Sequence, residues 1–353
     1  MSKNFKKFAI LTLLLFSSTS IIESYACTRV VYKGPNGTII TARSMDWKEE
    51  MPADLWLLPR GMERYGEAGS SSIRWSSKYG SVITNNHNGS TDGMNEKGLV
   101  GNALWLAEST YPKFDKENPD ATISISLWLQ YALDNFATVQ EAVEKLSKEE
   151  FIVLSSTIPG TDTYVTVHLS LSDKTGDSAI FEYIDGELCI HHDESYTTMT
   201  NSPVFKEQLA INGYWNNIPG TTMLPGTNNA PDRFVRASYY MDAIPKTDDT
   251  RVAIPAVFSV IRNVSVPYGI STESQPNISS TRWRTVADQK NLVYYFENVL
   301  NPNVVWVEFN KLDFSKNAKT KKLSLSNNEI YAGETSKDFK ETKPFQFTPV
   351  IID

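Results

Sequence analysis

Cys27-Thr-Arg-Val-Val-Tyr-Lys33, Gly34-Pro-Asn-Gly37 and Thr38-Ile-Ile-Thr-Ala-Arg43 read as a strand, a turn and a second strand. Branched and aromatic residues fill both runs, and Gly-Pro-Asn-Gly supplies the residue types a tight reversal needs. Such a hairpin brings Cys27 back beside residue 43 or 44. With Lys33 opposite Gly37 the thiol faces Arg43; with Lys33 opposite Thr38 it faces Ser44. Directly opposed residues share a face, so one residue of register decides which side chain reaches the thiol. The first register is the expectation. Arg43 and Asp46 lie three apart, on opposite faces of a regular strand. Both therefore serve Cys27 only if the chain bends or bulges near Ser44-Met45.

Residues 1–26, just before this hairpin, have the make-up of an export signal. Lys3, Lys6 and Lys7 form a positive start, residues 8–16 are apolar except for Thr12, and Ser24-Tyr25-Ala26 resembles a cleavage site. Cleavage there predicts a periplasmic or secreted protein whose first residue is Cys27. A cysteine at such a junction has three readings. It is a nucleophile whose new α-amine is base to its own thiol, the attachment point of a lipid, or a small hydrophobe opening a strand. Ser24 and Tyr25 are not the aliphatic and small residues an acylation site usually carries there. The junction alone leaves all three open.

The 353 residues are 41% apolar, 21% charged and 11% aromatic, with a net charge of −7. That composition is globular and too acidic for non-specific binding of nucleic acid. No run of 18 apolar residues exists, so no membrane insertion is expected after signal removal. Cys27 and Cys189 allow one disulfide, which would silence a nucleophile at 27. Cys189 is read instead as a buried hydrophobe in a strand. Four histidines (His87, His168, His191, His192) lack a common zinc spacing, and His191-His-Asp-Glu194 reads as a polar hairpin. No G-x-S-x-G, phosphate loop or dinucleotide fingerprint occurs, so neither metal nor cofactor is expected.

Apolar residues recur at helical spacing over 123–148, with a break at Asp134-Asn135 and Thr138. Helices are also predicted over 204–214, 230–243 and 254–263, and strands over 164–172, 178–189 and 292–309. Strands in groups and helices in pairs favour α+β layers over alternating βαβ units. Without an internal repeat or a Pro/Gly-rich linker, residues 27–353 are read as one domain. The lysine-rich stretch 311–343 is read as a solvated segment before an apolar terminal strand.

Cys27, Arg43-Ser-Met-Asp46, Asp92-Gly-Met-Asn-Glu-Lys-Gly-Leu99, Thr200-Asn-Ser-Pro203 and Asp232-Arg-Phe-Val-Arg236 together resemble the signature segments of the choloylglycine hydrolase and penicillin V acylase family. The resemblance runs from Cys27 to about Phe296. It implies a four-layer αββα sandwich and an N-terminal nucleophile hydrolase that cleaves linear acyl amides. It further implies that Cys27 attacks, Arg43 stabilises the thiolate and Asp46 orients the α-amine. Asn201 would donate its side-chain N–H to the oxyanion, and Arg233 would support the charge of the site. A thiol pKa of ~8.5 and an α-amine pKa of ~7.7–8.0 let a neutral amine take the thiol proton. The amide nitrogen of an uncleaved chain could not.

One position departs from the pattern. Gram-positive bile-salt hydrolases carry asparagine ten residues after the Asn of NEKGL, where this chain has Trp105. The Gram-negative branch resembles this chain, with tryptophan lining the acyl pocket. An oxyanion donor at that place then falls to a backbone N–H, that of Trp105. Trp47 adds a second indole beside the nucleophile. Two indoles favour a planar aryloxyacetyl group, as in penicillin V, or a medium-length acyl group over a conjugated bile salt, and acylated homoserine lactones are a further candidate. The expected partner is thus a small acyl amide; family resemblance also admits a homotetramer. The reading from another class is a lipid-anchored surface protein that binds without catalysis.

Overall fold

The computed structural model describes residues 26–117, 119–218, 223–273, 278–326 and 329–352. The expected export signal lies outside the described residues, apart from the backbone of Ala26. Strands β1 (Ala26–Gly34) and β2 (Thr38–Trp47) form the hairpin. Two consecutive left-handed residues, Asn36 (φ 54°) and Gly37 (φ 70°), carry the reversal. Gly34 therefore stays in the strand opposite Thr38, and Cys27 pairs with Met45. Neither expected register occurs. Pairing between β1 and β2 is also continuous from Ala26–Asp46 to Gly34–Thr38, without the expected bulge. The irregularity lies in the next strand, Ser280–Asp288, between Thr281 and Trp283.

β1 and β2 sit inside a seven-stranded sheet, between Thr198–Met199 on one side and Ser280–Asp288, Val293–Asn298, Val304–Glu308 and Gly333–Glu334 on the other. A nine-stranded sheet faces it. Its order is Glu187–His192, Ser178–Ile184, Val167–Ser172, Val100–Trp105, Gly89–Asn95, Ser81–Asn86, Leu55–Leu58, Lys321–Leu323 and Lys340–Glu341. Cys27, Met45, Val82, Met94, Leu104, Trp283 and Phe296 belong to the core between the sheets. Helices α1 (Ile125–Asn135) and α2 (Val139–Leu146) cover the outer face of the nine-stranded sheet. Helices α3 (Phe205–Trp215), α4 (Ala230–Ala243) and α5 (Thr250–Asn263) lie on the other side, α4 and α5 packing on β1 and β2. The layers are α, β, β, α, as expected.

Local chemistry explains the boundaries. Ser124, Thr138 and Asp249 each cap a helix by accepting a backbone N–H, so the periodic run 123–148 becomes two helices. Its first two residues belong to the strand Thr122–Ser124 instead. Residues 178–189 are not one strand. Asp185 (φ 53°) and Gly186 (φ 85°) turn the chain there, and the second strand carries His191 and His192. Cys189 is only half-buried on this edge strand, and both cysteines are free.

The stretch 311–343 also differs from its expectation. It supplies the last two strands of the nine-stranded sheet, Lys321–Leu323 and Lys340–Glu341, and it buries Phe314, Leu323 and Phe339. Its lysines sit at the rim while every few residues an apolar side chain turns inward. Residues 344–352 are an irregular strap rather than a strand, tied down by Thr348 N–H to Asn88 O at 3.0 Å and Val350 N–H to Glu67 O at 2.7 Å.

Candidate active site

Cys27, the second residue of β1, lies on the face between the sheets and is 3% exposed. Arg43 stands opposite Arg29, one pair along the same face, so it meets the thiol diagonally rather than head-on. Its Nη2 lies 3.8 Å from Cys27 Sγ. The guanidinium is fully buried, which demands partners for every donor. Nη1 donates to Thr91 O at 3.2 Å, Nη2 to Ala103 O at 3.1 Å and Nε to Ser44 O at 3.2 Å. Asp92 Oδ2 balances the charge from 3.7 Å, and the Trp283 ring lies 4.6 Å away. Burial pushes Asp92 upward, against the pull of Arg43. The cation beside the sulfur is rigidly held.

Asp46 points to the other face of the same sheet, as its spacing from Arg43 requires. Its Oδ1 accepts from Thr281 Oγ1 at 2.5 Å, and its Oδ2 lies 4.0 Å from Arg233 Nη1. Burial raises the Asp46 pKa to about 6, with Arg233 as the main opposing influence. Arg233 projects from α4 onto the start of β1. Its Nη1 donates to Cys27 O at 2.6 Å, and its Nη2 donates to Asn201 Oδ1 at 2.9 Å. Asn201 Oδ1 also accepts the Cys27 backbone N–H. These two donors fix which end of the amide faces which way. Nδ2 then donates to Trp105 O at 2.7 Å, using one of its two hydrogens. Position 27 still carries Ala26 here, so its nitrogen is an amide.

The segment carrying Asn201 is braced from behind. His168 Nε2 meets Thr200 O at 2.8 Å while its Nδ1 meets Glu182 Oε1 at 2.9 Å. Gln208 on α3 donates to the carbonyls of Asn201 and Pro203. Asp92, Thr281, Trp283, His168 and Gln208 were not anticipated as parts of the site. Asp92 had a visible signal, since it opens the most distinctive motif. The others sit in ordinary strand and helix patterns and are recruited only by the fold.

Beside Cys27 runs a narrow cleft with a free volume of about 100 Å³, walled by Met45, Trp47, Met51, Trp105, Ile158 and Val165 among others. The Trp47 and Trp105 rings lie 5.5 Å apart at 60°. A larger cleft of about 570 Å³, on the far side of Met51, is lined by Tyr268, Arg282 and Tyr331 and does not include Cys27. Size alone would point to it. Cys27 and the Arg43 guanidinium beside it line only the smaller one.

Residues 27–323 match the model of the linear amide C–N hydrolases, choloylglycine hydrolase family. The chain belongs to this family. A penicillin V acylase of Pectobacterium atrosepticum is 48% identical over 347 residues, covering 92% of each chain. A bile salt hydrolase/transferase of Clostridium perfringens is 25% identical, over 82% of this chain and 94% of that one. The solved penicillin V acylase of Agrobacterium tumefaciens matches with a TM-score of 0.85 and 57% identity, over 92% of this chain and all (100%) of that one. The protein is thus a linear amide hydrolase, and its αββα layering is that of the family. Five of the expected residues (Cys27, Arg43, Asp46, Asn201, Arg233) converge on one point, and Trp47 and Trp105 wall the cleft leading from it.

Proposed function

We propose that removal of residues 1–26 yields an exported, single-domain acyl amidase acting on aryloxyacetyl amides of the penicillin V type. The observation that carries this reading is the pair of tilted indoles, Trp47 and Trp105, beside Cys27 in an otherwise largely apolar slot. A planar aryl group can stack there, worth ~0.5–1.5 kcal/mol beyond area burial. A rigid, hydroxylated steroid gains less than a planar ring from a narrow slot between two indoles. The higher identity to a penicillin V acylase than to a bile salt hydrolase supports the same choice.

In this mechanism the freed Cys27 α-amine takes the thiol proton while Sγ attacks the acyl carbonyl. Arg43 keeps negative charge on sulfur favourable. Asn201, with its remaining Nδ2 hydrogen, and the Trp105 backbone N–H receive the oxyanion. The C–N bond breaks as the α-ammonium returns its proton to the leaving amine. Water then attacks the thioester, its proton passing through the same α-amine, and releases the carboxylic acid and the thiol. Arg233 holds the Cys27 carbonyl, and Asp46 holds the new amine in place of the removed peptide.

The test compares kcat/KM of the processed protein for penicillin V with that for glycine- and taurine-conjugated bile salts, before and after Trp105→Ala. A preference for penicillin V that shrinks in the variant supports the reading. A preference for bile salts, or selectivity indifferent to Trp105, overturns it. Intact mass of the exported chain separates a free Cys27 amine from the lipid adduct of a tethered surface protein.

A further inference from the structure

The cleft beside Cys27 contains polar groups that the protein leaves unsatisfied. Asn86, at the end of the strand Ser81–Asn86, is 5% exposed, and Ser90, early in Gly89–Asn95, is 3% exposed. Both line the cleft. Neither the amide nitrogen nor the amide oxygen of Asn86 has a hydrogen-bond partner, and nor does Ser90 Oγ. Buried polar groups are almost always paired, because leaving one unpaired forfeits its hydration. Three such atoms around one apolar slot are therefore a feature of the slot.

Their place in the slot follows from the chain. Asn86 pairs with Gly89 across the His87-Asn88 turn, and Ser90 pairs with Asn85. One residue on, the Thr91 carbonyl accepts from Arg43, whose Nη2 lies against Cys27 Sγ. The unsatisfied groups thus sit on the wall anchored to the nucleophile. That places the wall carrying them next to the Arg43 anchor.

We propose that Asn86 and Ser90 form an oxygen-binding subsite, and that the preferred acyl group carries an ether, keto or hydroxyl oxygen on its chain close to the scissile carbonyl. Asn86 Nδ2 and Ser90 Oγ each donate to such an oxygen, and Asn86 Oδ1 accepts from it when it is a hydroxyl. This rests on the acyl amidase reading above and narrows its substrate class. A phenoxyacetyl group meets the requirement and a 3-phenylpropanoyl group does not, although the two differ only by oxygen in place of CH₂. An acyl chain without the oxygen strands the same polar atoms, which is how a polar site rejects an apolar isostere.

The experiment uses the processed protein and two amides of one chromogenic amine, the phenoxyacetyl and the 3-phenylpropanoyl. The kcat/KM ratio of the pair is measured for wild type, Asn86→Leu and Ser90→Ala. Comparing ratios cancels the intrinsic reactivities of the amides and the active fraction of each preparation, so a poorly folding variant still reports. The expected result is a fall in the ratio of about tenfold in Asn86→Leu, and a smaller fall in Ser90→Ala. Ratios that stay within about twofold of wild type in both variants would overturn the subsite while leaving the amidase reading intact. Failure to cleave either amide, alongside cleavage of conjugated bile salts, would overturn the aryloxyacetyl reading and this inference together.

Discussion

Two groups on Cys27 do the chemistry proposed, and only one of them exists while Ala26 is attached. Cys27→Ala should abolish turnover in the processed protein with the fold retained. A processed chain acetylated at its new amine should be equally inactive; wild-type turnover by that blocked chain would remove the amine-as-base mechanism. Asp46 offers a second test through pH. Its carboxyl is raised from 3.8 to about 6 by burial, so between these values the folded chain holds a proton that the unfolded chain has released. Stability is therefore lost as pH rises through that window, by about 3 kcal/mol once ionisation is complete. Asp46→Asn in the uncleaved chain should melt higher than wild type at pH 7.5 and level with it near pH 4. The same variant, processed, should be slowed, because a neutral amide cannot hold an α-ammonium as a carboxylate does. A difference in Tm that ignores pH would mean that ionising Asp46 costs the fold nothing.

The strand and turn Asp92–Leu99 show how a motif legible in sequence can owe most of its residues to structure. Asp92 alone touches the site, through Arg43. A Cβ on Gly93 would stand 2.8 Å from the Val82 carbonyl of the neighbouring strand and 2.9 Å from Ile83 Cγ2. Asn95 donates to the Leu133 and Phe136 carbonyls at the end of α1 and accepts from Lys97 and Leu99 N–H, welding sheet to helix. Gly98 closes the turn at φ +85°. Gly93→Ala should cost about 1–3 kcal/mol of stability by overpacking, with kcat/KM of the folded protein little changed. Loss of activity without loss of stability would place Gly93 in the chemistry instead. Helices α1, α2 and α4 were legible because apolar spacing and capping residues act within one turn. The β1–β2 register was not, because Asn36 adopts a left-handed conformation that turn composition permits but does not require. The bracing of Asn201 by His168 and Gln208 depends on contacts spanning 32 and 7 residues of the chain, where no local pattern points.

Beyond residue 323, where the family match ends, the chain still shapes the cleft. Phe345 packs against Trp56 with ring centres 4.9 Å apart, and Phe347 lies under the Arg64 guanidinium at 5.4 Å. These anchors carry Thr348 across the cleft. Its carbonyl accepts from Ser124 Oγ at 2.8 Å and Ser126 Oγ at 2.7 Å, and its Oγ1 donates to His87 O at 2.8 Å. The strap thus ties the start of α1 to the His87-Asn88 turn, whose residues both adopt left-handed backbone (φ 43° and 56°) and need outside support. Cys27, Arg43 and Arg233 are held by other elements. Loss of the strap should therefore spare the chemical step and loosen the acyl wall. Truncation after residue 343 should lower Tm, since burying a phenylalanine such as Phe345 is worth ~1.5–3 kcal/mol. Thr348→Val, which keeps the shape and loses the bond to His87, should raise KM for an aryloxyacetyl amide by a few-fold with kcat nearly unchanged. A drop in kcat with constant KM would tie the strap to the nucleophile instead. Unchanged Tm and unchanged KM across both variants would show that the strap only covers the surface.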